Sequence, residues 1–229
     1  MADSKQTELC TYLSGMSLRF FLPLYLLAYF ASAFFWRSFI VWKQTGINPV
    51  VFKQTDSAHD FIGRVFKILF ATIVIVVLVY SFWPSGYQYF VPIVWLERSW
   101  LIWSGLALLL LSLIWTVLAQ AQMGESWRIG IDEEHRTPLV TSGVFGWSRN
   151  PIFVGMKITL LGLFLIIPNA LTLLAFVMGV VLIQIQVRLE EDFLVKTHGE
   201  DYEHYRREVA DGSSYVASQL HKNESALDQ

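Results

Sequence analysis

The chain has 229 residues, of which 54% are hydrophobic and 16% charged, with nine tryptophans and a formal net charge of −2. A soluble domain of this size would carry nearer a quarter charged residues, so composition selects the membrane class. The near-neutral balance gives nothing in favour of nucleic acid, and a single cysteine, Cys10, excludes a disulfide framework or a thiolate metal site.

The first 19 residues form a polar tail without a small-residue cleavage site, so the apolar stretch after them reads as a retained helix rather than a signal peptide. Crossing the hydrocarbon takes roughly 20 mostly apolar residues in a helix. Five segments qualify or nearly so: Phe20–Trp36, Val65–Trp83, Trp100–Ala119, Ile152–Ile167 and Ala170–Val187. Only Pro168 and Asn169 separate the last two. Proline stops a helix and so short a link forces antiparallel neighbours, which predicts a hairpin of two short helices.

Basic residues set the direction of insertion. One side holds Arg37, Lys43, Lys53, Arg64 and Lys67, then Arg128, Arg136, Arg149 and Lys157, then Arg188, Lys196, Arg206, Arg207 and Lys222. The other side keeps Lys5, Arg19 and Arg98. Fourteen against three places the N-terminus outside and the C-terminus in the cytoplasm, with a bacterial inner membrane as the expected location. Trp36, Trp83, Trp95, Trp100 and Trp103 fall near span ends, where amphipathic rings favour the interface.

The cytoplasmic side thus receives the polar segments. Thr45-Gly46-Ile47-Asn48-Pro49 is a turn-forming cluster that reads first as a connector. Beyond Glu190 the pattern is that of an amphipathic helix lying along the membrane face, with Phe193, Leu194, Tyr202, Tyr205 and Val209 apolar and Gly199 interrupting it. The last twenty residues have a disordered composition.

Arg149 stands at the entry to the fourth span, followed by Asn150 and Pro151. Pro is favoured in a first helical turn. A guanidinium there can grip a carboxylate through two hydrogen bonds; the competing reading is an arginine snorkelling to lipid phosphate. Glu190 and Glu191 return to the same level at the end of the next span. Adjacent on a helix, they point about 100° apart, so one can face a pocket while the other faces water or Arg188. Gln184 and Gln186 lie inside the last apolar span, where an unpartnered amide is costly. Gln186 shares a helical face with Glu190. Interhelical amide bonds would account for the two glutamines more simply. The run Arg136 to Phe145 is irregular and apolar, and its backbone amides could read the edge of a heteroaromatic base. His59, His135, His198, His204 and His221 show no metal-ligand spacing, so no metal is expected.

Taken in order, Leu139-Val140-Thr141-Ser142-Gly143-Val144-Phe145, Arg149-Asn150-Pro151-Ile152-Phe153-Val154-Gly155 and Glu190-Glu191…Leu194…His198-Gly199…Tyr202…Tyr205 resemble the isoprenylcysteine carboxyl methyltransferase and phospholipid methyltransferase family. The resemblance covers Gly124 to Val209. It implies an all-α polytopic membrane enzyme with about five transmembrane helices, a C-terminal helical hairpin and a cytoplasmic amphipathic helix, using S-adenosylmethionine. The expected division is a tail over 1–19, transmembrane helices and loop over 20–120, a catalytic region over 121–209 and a disordered tail over 210–229.

Carried onto this chain, the resemblance implies that Thr137, Pro138, Leu139 and Val140 line the cofactor through their backbone and that Phe145 flanks its adenosyl part. Asn150, Pro151, Ile152 and Phe153 would touch the methionine end, with Arg149 beside them, and Glu190 would bind polar groups from the far helix. The family's proline motif usually carries His where Asn150 stands. In carboxyl-methylating members an arginine grips the substrate carboxylate at the position of Gln186, which makes Gln186 the substrate-facing residue. Arg149 and Glu191 are the expected catalytic residues, Glu191 as the candidate proton acceptor for an amine or alcohol. The partners would be a lipophilic methyl acceptor and membrane lipids. A nicotinamide-dependent reductase of sterol-like type and a non-catalytic membrane accessory protein are the alternatives.

Overall fold

The computed structural model of the chain describes residues 17–46, 58–127 and 137–209. Six helices account for most of them: α1 (Ser17–Thr45), α2 (Ala58–Phe82), α3 (Ser99–Met123), α4 (Pro151–Ile166), α5 (Ala170–His198) and α6 (Glu200–Glu208). Helices α1, α2, α3 and α5 are long and apolar enough to cross a membrane, while α4 is apolar but shorter, at 16 residues. No strand forms among the described residues, only an isolated bridge between Pro92 and Asn169. The expected all-α, multi-pass architecture is therefore the observed one. Residues 47–49 of the turn-forming cluster, together with Lys53, Arg128, Arg136, His135 and both chain tails, lie outside the described residues.

Three elements depart from the expected boundaries. Helix α2 begins at Ala58 rather than Val65, so Arg64 and Lys67, assigned to the first loop, are helical. Helix α1 does not stop at Trp36: a π-helical turn over Ala31–Trp36 passes directly into an α-helix over Arg37–Thr45. Arg37, assigned to the first loop from hydropathy alone, is thus helical. The second arm of the hairpin is likewise not short, because α5 continues for 29 residues through Glu190 and Glu191 to His198. It ends at Gly199, whose φ of 57° belongs to the left-handed half of backbone space that favours glycine. The hairpin turn itself follows the sequence. Asn169 caps α5 by accepting from Leu171 and Thr172 amides, and the Thr172 hydroxyl accepts from the Asn169 amide in return.

Packing is dictated by small residues and buried hydroxyls. Gly105 of α3 and Gly162 of α4 meet so closely that a Cβ on Gly162 would lie 3.0 Å from the Gly105 carbonyl oxygen, the close backbone approach typical of membrane helix pairs. Ser112 Oγ and Thr159 Oγ1, 2.9 Å apart, join the same two helices. Tyr25 ties α1 to α3 by donating to the Leu109 carbonyl at 2.9 Å. Phe30 and Phe34 present edges to Phe70, joining α1 to α2. Leu69 of α2 lies against Gly179 of α5. The core runs through Leu22, Tyr25, Tyr29, Leu109, Leu163, Leu182, Ile183 and Val187.

At one end, the Trp83–Arg98 connection is pinned to the hairpin turn by Ile93 N–H donating to Pro168 O at 2.9 Å and by the Asn169 amide reaching the Tyr87 hydroxyl. The five tryptophans expected at the interface are all strongly exposed. The opposite end collects Arg149, Glu190, Glu191 and α6.

Candidate functional site

The site grows from the entry to α4. Asn150 is the N-cap residue but does not use its side chain as a cap; Pro151, lacking an N–H, occupies the first turn. The Pro151 carbonyl accepts from Trp115 Nε1 at 2.8 Å, which fastens the start of α4 to α3. Ser148 Oγ accepts from the Asn150 amide at 3.2 Å, and both residues are buried. With its backbone held this way, Asn150 extends its amide to Glu191 Oε1 at 3.4 Å.

Arg149 supplies the main contact. Its Nε donates to Glu191 Oε1 at 2.8 Å, with side-chain exposures of only 9% and 14%. Its Nη1 donates to the carbonyls of Arg206 (3.1 Å) and Val209 at the end of α6. One guanidinium therefore joins the α4 entry, α5 and α6. The snorkelling alternative does not describe it, because its partners are protein groups.

Helix α6 carries acidic Glu200, Asp201 and Glu203 in its first turn and basic Arg206 and Arg207 in its last, matching the helix dipole. A Glu203–Arg206 ion pair at 3.0 Å adds to this on the solvent side. Its inner face holds Tyr202 and Tyr205, both buried and in edge contact at 5.9 Å. Tyr205 donates to the Phe145 carbonyl at 2.6 Å, so α6 also fixes the loop before α4. That loop is held from α3 as well, by the Val144 amide donating to Gln122 Oε1 at 2.8 Å. Burial raises the Tyr205 phenol to about 12. Burial, and next the Glu191 carboxylate, push Tyr202 higher still, so both remain neutral hydroxyls at physiological pH.

Two polar groups here have no protein partner among the described residues. The Tyr202 hydroxyl is buried, on a side chain 1% exposed, and makes no hydrogen bond. Glu190, half-buried, makes no hydrogen bond or ion pair. Arg149 and Glu191 neutralise each other, which leaves Glu190 as the unpaired carboxyl group of the cluster. Chemically the site can receive a cationic or hydroxylated small molecule. Gln186 and Gln184 are also without partners, so the amide bonds that would have explained them are not made among the described residues.

Of the sequence-expected residues, Arg149, Asn150 and Glu191 are brought into direct contact, and Phe145 is joined to them through α6. The partner of Arg149 is Glu191 rather than Glu190. Thr137, Pro138, Leu139 and Val140 run without helical structure; the Pro138 carbonyl accepts from Ser126 Oγ at 3.1 Å. The N–H groups of Thr137, Leu139 and Val140 make no backbone hydrogen bond to other described residues. Ile152 and Phe153 lie in the first turn of α4, partly buried. The sequence marks Tyr202 by its apolar spacing and its place in the terminal motif, without assigning it a role in the site. A buried tyrosine two residues past a helix-breaking glycine is the signal that could have marked it.

Residues 100–201 match the family model described as phospholipid methyltransferase. The matched segment contains α3, α4, α5 and the Arg149–Glu191 pair, and it supports a membrane methyltransferase. No curated protein matches the chain.

Proposed function

With residues 100–201 a phospholipid methyltransferase-family segment, we propose that the protein is a membrane enzyme transferring the methyl group of S-adenosylmethionine to a lipophilic acceptor. The observation that carries this reading is the junction of α4, α5 and α6. There a neutralised Arg149–Glu191 pair lies beside two polar groups without partners among the described residues, Glu190 and the Tyr202 hydroxyl.

The residues fit the cofactor. Its ammonium and sulfonium are cationic, and the cluster has one uncompensated carboxylate. Its ribose hydroxyls and amino group need acceptors and donors, which Glu190 and Tyr202 offer. Its base needs an edge of peptide groups and an apolar surface, for which Thr137 to Val140 and Phe145 are the chain's resources. S-adenosylmethionine supplies a methyl group already activated by its sulfonium, so the protein contributes mainly positioning and exclusion of water. Arg149 does both by closing α6 over the end of the bundle.

Glu191 Oε1 is already taken up by Arg149 and Asn150, which leaves this carboxylate poorly placed to accept a proton from substrate. Glu190, without such a partner, is the better proton acceptor for an amine or hydroxyl acceptor; a carboxylate or thiolate would need none. Gln186, one turn into the bilayer from Glu190, would meet the acceptor. The distribution of basic residues supports a cytoplasmic site, so that the soluble cofactor enters from water and the acceptor from lipid.

Calorimetry in detergent tests this directly. Wild type should bind S-adenosylhomocysteine, and Glu190→Gln should weaken that binding without unfolding the protein. Absence of binding by wild type refutes the reading.

A further inference from the structure

Helix α1 lies outside the matched segment, yet it carries a charged residue in a position meant for the core. Leu18, Leu22, Tyr25, Tyr29, Ala33 and Val41 form its buried ladder. Arg37 occupies the rung between Ala33 (1% exposed) and Val41 (0%), one turn from each. The lipid-facing side is a different one, made by Phe35, Trp36, Phe39 and Trp42, all more than half exposed. Arg37 therefore does not point outward along the membrane surface as a snorkelling arginine does.

The surroundings hold the guanidinium in place without neutralising it. Arg37 Nη2 donates to the Gly124 carbonyl at the end of α3. One turn earlier, the Gln120 amide donates to the Ala33 carbonyl at 2.8 Å, inside the π-helical turn. The Arg37 Nε is buried and has no partner, and no carboxylate pairs with this residue among the described residues. π-helical turns are local insertions found often at functional positions. A half-buried guanidinium at the membrane boundary, with no carboxylate to pair it, keeps donor capacity for an anionic group.

We infer that Arg37 holds the oxyanion headgroup, phosphate or carboxylate, of an anionic lipid taken up between α1 and the end of α3. A planar guanidinium with one arm fixed to a carbonyl keeps N–H donors on its remaining nitrogens for such a group. The inference does not depend on methyl transfer: it stands or falls on lipid binding alone.

The test compares wild type, Arg37→Gln, Arg37→Lys and Arg64→Gln in nanodiscs of phosphatidylcholine with and without phosphatidylglycerol, reading retained lipid by native mass spectrometry and the melting temperature. Arg64, exposed on α2, controls for loss of surface charge. Wild type should retain phosphatidylglycerol preferentially. Arg37→Gln should weaken that preference roughly 10- to 100-fold, the scale of a charge-assisted hydrogen bond. Arg37→Lys should be intermediate, since it keeps the charge but not the fork. Arg64→Gln should match wild type. In phosphatidylcholine alone, Arg37→Gln should melt no lower than wild type, because it removes an uncompensated charge. A lower melting temperature there with unchanged lipid preference would make Arg37 a strut to Gly124 and overturn the inference. Stabilisation of wild type by inorganic phosphate in detergent, lost in Arg37→Gln, would replace the lipid with a free anion and overturn it as well.

Discussion

Tyr202→Phe gives the sharpest test of the site, because it should move stability and binding in opposite directions. The tyrosine hydroxyl is buried and unpartnered, and leaving such a group unsatisfied costs about 1–3 kcal/mol. Phenylalanine keeps the ring and its 5.9 Å edge contact with Tyr205 while removing the hydroxyl. The ligand-free variant should therefore be as stable as wild type, or more stable by up to that amount. If the hydroxyl serves a bound cofactor, losing that hydrogen bond should weaken S-adenosylhomocysteine roughly 5- to 100-fold, the lower end for a neutral partner and the upper for a charged one. Tyr205→Phe is the internal control. It strips the Phe145 carbonyl of a buried 2.6 Å hydrogen bond and should destabilise the ligand-free protein by about 1–3 kcal/mol. Thermal unfolding in detergent, with calorimetric titration of S-adenosylhomocysteine, reads both quantities. Should Tyr202→Phe melt below wild type while binding stays within twofold, the hydroxyl has a structural partner and the reasoning is wrong.

Three further outcomes follow from the packing and charges. Arg149→Ala leaves the partly buried Glu191 carboxylate without its ion-pair partner, so it should destabilise by up to about 3–5 kcal/mol. The Arg149→Ala/Glu191→Ala double variant should recover part of that loss in a double-mutant cycle by chemical denaturation, and simple additivity would contradict the pairing. Gly162→Ala places a Cβ 3.0 Å from the Gly105 carbonyl oxygen and from Leu109; pushing α3 and α4 apart should lower stability by about 1–3 kcal/mol, and an unchanged melting temperature would refute that contact. Glu190→Gln removes the uncompensated charge of the cluster while keeping its shape. Affinity for S-adenosylhomocysteine should fall roughly tenfold or more, as expected for a charged hydrogen bond, with stability held or raised; equal affinity in calorimetry would take Glu190 out of the site.

The gross architecture was legible because hydropathy and prolines report directly on membrane crossing. Pro151 and the Pro168-Asn169 pair marked the ends of α4, and the return of the chain put Arg149 and the acidic pair at one end. Which glutamate meets Arg149 was not legible. Neighbouring helical positions differ by about 100°, and the rotation of α5 is set by contacts such as Gly179 against Leu69, which no local pattern encodes. The end of α1 was misplaced for a similar reason. The apolar run stops at Trp36, but the helix continues because Ala33 and Arg37 find partners on α3, in Gln120 and Gly124. The two tyrosines of α6 share one apolar spacing in sequence, yet only one hydroxyl finds a carbonyl.

Arg149 also sets how the C-terminal helix can swing. That helix is hinged at Gly199 and held by two carbonyl contacts to Arg149 and by the Tyr205 hydrogen bond to Phe145, so its opening requires these to release together. A latch of this kind is electrostatic at its root. Its guanidinium is only 9% exposed, so added salt screens it little, and traffic under α6 would be governed by temperature more than by ionic strength.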